Sequence, residues 1–165
     1  EHFRKAAEAE PSSWRPLAAI GGLNQQRGEP GKAIAAYEDA LALKADDVQV
    51  LNNLAYLYGE QGRHPDRALE LAKKAVALAP GQPLVQDTLG WVHYRRGEFQ
   101  RAEELLRAAA DAAPRHPSIR YHLGMTYNRL GRLTEARAQL RRALEITNRF
   151  PEAEEARRAL QELGD

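Results

Sequence analysis

A spacing of 34 residues recurs through this chain and leaves few architectures open to it. Leu89-Gly90 and Leu123-Gly124 lie 34 residues apart, as do Gly97 and Gly131, Ala102 and Ala136, and Ala109 and Ala143. Small residues repeating at this period mark stacked helical hairpins, because each hairpin buries its apolar face only against the next. The spacing predicts helices over 15–27, 30–44, 48–61, 66–79, 83–96, 99–113, 117–130 and 133–147. Pro83 and Pro117 stand at the first turns of helices, where no amide hydrogen bond is lost.

The frame divides the chain into residues 14–47, 48–82, 83–116 and 117–150, the second holding one extra residue in the turn Gly62-Arg63-His64-Pro65-Asp66. Position 7 reads Ile20, Leu54, Leu89 and Leu123, and position 8 reads Gly21, Ala55, Gly90 and Gly124. Position 15 is Gly28, Gly62, Gly97 and Gly131; position 20 is Ala33, Ala68, Ala102 and Ala136; position 27 is Ala40, Ala75, Ala109 and Ala143. Small residues at 8 and 20 let two helices approach closely, and glycine at 15 ends the first of them.

This set of positions resembles the tetratricopeptide repeat (TPR) family. The resemblance implies an all-α, right-handed α-solenoid of helix-turn-helix repeats. The family's tyrosine at position 11 is here Asn24, Tyr58, His93 and Tyr127, and its aromatic at 24 survives as Tyr37, giving way to Ala72, Leu106 and Leu140. His93 in a packing position reads as a core or half-buried imidazole rather than a general base.

The ends follow the same register. Residues 1–13 align with the last third of a repeat, so they are expected to be the second helix of a truncated upstream repeat. Residues 151–165 open with Pro151-Glu152-Ala153 and carry Ala156, Ala159, Leu160 and Leu163 on one face, the pattern of a capping helix.

Composition narrows the function classes. There is no cysteine, which excludes disulfides and thiolate metal sites. The five histidines lack metal-ligand spacing, and no phosphate loop or nucleophile elbow is present, so the chain reads as non-enzymatic with no cofactor and no metal. Without a long apolar run, direct membrane insertion is not expected. The net charge of +1 hides a stretch from Arg115 to Arg149 with net +6, read either as a solvated helix face or as a docking site for an acidic peptide, phosphate or polyanion. No base-reading motif accompanies it, so nucleic acid is not the expected partner.

By resemblance, positions 2, 5, 6, 9, 12 and 13 of the first helices line a concave groove. Here they supply Asn52, Asn53, Tyr56, Asp87, Thr88, Trp91, Tyr94, Arg95, Tyr121, His122, Met125, Asn128 and Arg129. Aromatic anchors beside Arg, Asn and a pliable Met suit a protein or peptide ligand, taken as a helix or as an extended strand. Trp91 and Tyr121 have a second reading, as fillers between adjacent first helices. Of the family's dicarboxylate clamp only Asn53 is matched, and the asparagine ladder of its sugar transferases is replaced by Ala19, Asn53, Thr88 and His122.

A narrower resemblance rests on Leu51-Asn52-Asn53-Leu54-Ala55-Tyr56-Leu57-Tyr58, Asp87-Thr88-Leu89-Gly90-Trp91-Val92, Arg120-Tyr121-His122-Leu123-Gly124 and Phe150-Pro151-Glu152-Ala153. These strings are similar to the C-terminal repeats of bacterial PEP-CTERM/exosortase-system TPR lipoproteins. That likeness implies a periplasmic or envelope-associated scaffold in exopolysaccharide assembly; without it the expected place is cytoplasmic. The alternative function is structural, a module for self-association or packing within a longer array, with dimers forming through the truncated N-terminal edge.

Overall fold

Proline, aspartate and glycine punctuate the chain where the backbone needs them. In a computed structural model, which describes residues 12–164, the helices are α1 (Trp14–Gln26), α2 (Pro30–Leu43), α3 (Val48–Gln61), α4 (Pro65–Leu78), α5 (Pro83–Arg95), α6 (Phe99–Ala112), α7 (Pro117–Arg129), α8 (Leu133–Ile146) and α9 (Ala153–Glu162). Each of the first eight begins and ends within one residue of the expected span. Among the described residues there is no strand. The expected helix over residues 1–13, and the dimerising edge it would leave, fall almost wholly outside the described residues.

Local chemistry sets the boundaries. Pro30, Pro65, Pro83 and Pro117 begin α2, α4, α5 and α7, where a missing N–H costs nothing. Asp47 caps α3 by accepting from the Val50 amide at 2.9 Å. Gly62 and Gly97 follow first helices with φ of +63° and +79°, a left-handed conformation in which any other side chain is strained.

The chain forms two compact units, Glu1–Pro80 and Gly81–Asp165. In the first, α1 pairs with α2 and α3 with α4, and α2 packs on α3. The second repeats this plan: α5 pairs with α6, α7 with α8, α6 packs on α7, α5 touches α7, and α9 lies on α8. Ala153, Ala156, Ala159 and Leu160 are the buried face of α9. Its ends are tied by Ser118, which donates to Glu152 at 2.8 Å, and by Arg137, which donates to the Leu163 carbonyl at 3.0 Å.

The tightest packing lies between position 8 and position 24. A Cβ on Gly90 would sit 2.7 Å from Leu106 Cγ, one on Gly124 2.9 Å from Leu140 Cγ, and one on Gly21 2.5 Å from the Tyr37 ring. In the remaining hairpin the pair is Ala55 with Ala72, both fully buried. Glycine therefore stands at position 8 wherever position 24 is large, and alanine where position 24 is alanine, so no Cβ meets a large side chain.

Candidate functional site

The groove residues expected from sequence fall into both units. In the first unit Asn52, Asn53 and Tyr56 are half-buried on α3. Asn53 donates to the Tyr37 hydroxyl at 3.0 Å, and Tyr37 in turn donates to Gln25 at 3.2 Å. Burial pushes the Tyr37 phenol above its ordinary pKa, against the Asn53 hydrogen bond. The Asn52 side-chain oxygen is buried without a hydrogen-bond partner among the described residues.

The second unit holds the remaining set, and much of it is packed inside. Asp87, Thr88, Trp91, Tyr121 and His122 are buried, Tyr94, Met125 and Asn128 are half-buried, and Arg95 and Arg129 are exposed. The indole of Trp91 is stacked with two rings: Tyr94 lies at 4.4 Å and 6°, and His122 at 4.1 Å and 22°. Tyr121 closes on the same indole at 6.0 Å. With Trp91 only 5% exposed, little of its indole is open to a ligand. Trp91 and Tyr121 fill the space between α5 and α7, the second of the two roles open to them from sequence.

A polar pair lies behind the column. His122 Nδ1 donates to the Asp87 carboxylate, 2.8 Å from Oδ1 and 3.0 Å from Oδ2, and both side chains are nearly removed from solvent. This joins the first helices of consecutive hairpins. A buried carboxylate left without its donor is costly, so the contact ties α5 to α7 as well as orienting the ring against Trp91.

The solvent-facing rim is built from the ends of three helices. The Tyr94 ring meets Phe99 edge-on at 5.5 Å, and the Arg129 guanidinium lies over the Phe99 ring, 4.5 Å from its centroid. Sequence reasoning did not find Phe99, since position 17 carries no pattern that singles it out. Nor did it find the adjoining cluster around Glu98, where Arg96 donates at 3.0 Å, His93 at 2.8 Å and Arg101 at 3.1 Å. His93 is buried there, as expected of an imidazole replacing a packing tyrosine.

The donors on Glu98 hold its carboxyl down to about 2, the Arg96 hydrogen bond contributing most and that of His93 next. Its contribution to stability is complete above the ordinary carboxylate value of 4.5 and is lost as the pH falls from there through about 2. Glu98→Gln should therefore flatten the acid side of the stability profile, the loss being modest because the side chain is 30% exposed. Thermal unfolding of both proteins between pH 5 and pH 2 measures this; parallel curves would remove Glu98 from the account.

The basic stretch is largely engaged within the chain. Arg132 pairs with Glu103 at 2.7 Å and Glu135 at 2.9 Å, Arg142 with Glu145 at 3.1 Å, and Arg120 donates to Gln139 at 2.9 Å. Among the described residues no group of three or more His, Asp or Glu side chains is placed to hold a metal ion. No helix among them is long and apolar enough to cross a membrane.

Comparison with known proteins adds the family context. Residues 19–83 and 88–151 match the family model of the tetratricopeptide repeat. A TPR repeat-containing protein of Pseudomonas aeruginosa is 34% identical over 62 residues, 38% of this chain and 10% of the relative. The Photosystem I assembly protein Ycf3 of Prochlorococcus marinus is 34% identical over 76 residues, 44% of this chain and 43% of that protein. The chain thus spans less than half the length of these curated relatives. Among solved structures, a thermophilic TPR protein of Thermus thermophilus superposes with a TM-score of 0.78 at 23% identity, over 98% of this chain and 86% of the other, a likeness of fold.

Proposed function

Because the chain belongs to the tetratricopeptide repeat family, we propose that it is a non-catalytic scaffold that takes a protein or peptide partner on the first helices, α5 and α7, of its second unit. Proteins of this family bind protein or peptide partners, and the fold is typically a non-catalytic scaffold. The observation that carries the reading lies in the second unit. Positions 12 and 13 of both hairpins, with Met125 at position 9, reach solvent as Tyr94, Arg95, Met125, Asn128 and Arg129. Beneath them Asp87, Trp91, Tyr121 and His122 form a packed base. A rigid base under a rim of aromatic, amide, thioether and guanidinium groups supplies contact area at low ordering cost. On α3, Asn52, Asn53 and Tyr56 present a smaller polar and aromatic set.

Panning a random peptide library on the folded chain tests this. Peptides enriched by the native protein should bind Met125→Ala/Asn128→Ala about tenfold more weakly, the loss of two contacts of roughly 0.5–1 kcal/mol each. Melting should stay nearly unchanged, since both side chains are half-buried. Absence of enrichment, or equal affinity for the variant, would sink the reading.

The strings beginning at Leu51, Asp87, Arg120 and Phe150 support a partner within a bacterial envelope or exopolysaccharide assembly system. Fractionation of the source cells tests that placement: recovery of the protein with the cytosol would overturn it.

A further inference from the structure

Arg129 differs from most cations of the second unit in what it touches. Its guanidinium lies over the Phe99 ring, 4.5 Å from the centroid, the side chain is exposed, and among the described residues it makes no ion pair. Three acids of the second unit's first two hairpin helices are committed to other donors. Asp87 is held by His122, Glu98 by His93, Arg96 and Arg101, and Glu103 by Arg132. A guanidinium held over a ring by one of its faces keeps N–H donors on its planar fork that the ring cannot satisfy. That is the presentation a carboxylate accepts with two parallel hydrogen bonds, and the ring has already restricted the rotamers that binding would otherwise have to restrict.

We propose that Arg129 is the carboxylate-binding residue of the peptide surface, so that the partner segment carries an aspartate or glutamate beside an apolar or aromatic residue. This rests on the peptide-binding reading above. The acid takes the Arg129 edge, and the apolar neighbour lies on Met125, one helical turn earlier on the same face, or on Tyr94, which meets Phe99 edge-on at 5.5 Å. Charge complementarity selects the occupant: the rim offers an arginine without an internal acid, and Asp87, the acid among the expected groove residues, is buried against His122.

The test uses the peptides that the native protein enriches from a random library. An acidic residue should recur at a fixed position among them. Arg129→Gln should weaken binding of such a peptide about tenfold or more, the loss expected for a charge-assisted hydrogen bond, and Arg129→Lys should fall between the two. Replacing the peptide's acid by its amide should cost the native protein a similar factor and cost Arg129→Gln little, with circular dichroism showing all three proteins equally helical. Enrichment without acidic residues, or an amide peptide that loses the same factor against native and Arg129→Gln proteins, would overturn the carboxylate site and leave the peptide-binding reading standing. Failure of the native protein to enrich any peptide would overturn both.

Discussion

Trp91→Ala should lower the free energy of unfolding by about 3–5 kcal/mol, the range for truncating a large aromatic in a packed interior. The side chain is 5% exposed, with Tyr94 and His122 stacked on the indole and Tyr121 6.0 Å from it. Removing it opens a cavity between α5 and α7 and unseats the ring whose Nδ1 donates to Asp87. Urea unfolding followed by circular dichroism measures the cost, and an unchanged midpoint would mean that the indole is not packed in this way. A practical consequence follows for binding experiments. Loss of a partner in Trp91→Ala, or in its combination with Tyr121→Ala, would report the collapse of the supporting column, whereas Met125, Asn128 and Arg129 can be changed without opening the interior.

Leu106→Ala should cost about 2–5 kcal/mol, and Gly90→Ala, harmful on its own, should recover part of that loss when the two are combined. The side chain of Leu106 is fully buried, and a methyl placed on Gly90 would come within 2.7 Å of its Cγ and 3.2 Å of Leu105 Cβ. In the native background the methyl must displace these atoms, an overpacking cost of roughly 1–3 kcal/mol that outweighs the gain of about 1 kcal/mol from replacing a helical glycine by alanine. Once Leu106 is truncated the obstruction is gone, the methyl fills part of the cavity, and the helix gain remains. The chain already contains the doubly substituted arrangement as Ala55 opposite Ala72. A double-mutant cycle on the four proteins measures the coupling. If Gly90→Ala changed stability equally in both backgrounds, the two positions would be independent and the volume argument would fail.

These two cases differ in how far they could be read beforehand. Gly21 with Tyr37, Ala55 with Ala72, Gly90 with Leu106 and Gly124 with Leu140 stand in the sequence as a complementary series at positions 8 and 24. The series is visible once the repeat frame is drawn; the close approach at positions 8 and 20 was read from sequence and is seen at Gly124, where a Cβ would lie 3.3 Å from the Ala136 carbonyl oxygen, but the reading did not extend to position 24. The enclosure of Trp91 is not visible in that way. Positions 5, 6 and 9 carry Asp87, Thr88 and Trp91 in one hairpin and Tyr121, His122 and Met125 in the next. Their types suit a ligand surface and a packed junction equally well. What separates the two is whether each side chain meets a neighbour before it meets solvent. Asp87 and His122 are 35 residues apart and lie on different hairpins, so their contact has no local signature.

The sequence by itself determined the helices, their limits and the order in which they pair. Those follow from short-range terms that repeat every 34 residues: proline at first turns, an aspartate cap before Val48, left-handed glycine after first helices, and small residues where helices touch. Only the tertiary structure decided which side chains of the first helices are interior and which form the rim. Trp91, Tyr121 and His122 pack together with Asp87 between α5 and α7, while Tyr94, Met125, Asn128 and Arg129 are left to face solvent. Helical periodicity gives a side chain its direction, but its exposure depends on the size and distance of residues that come from another hairpin.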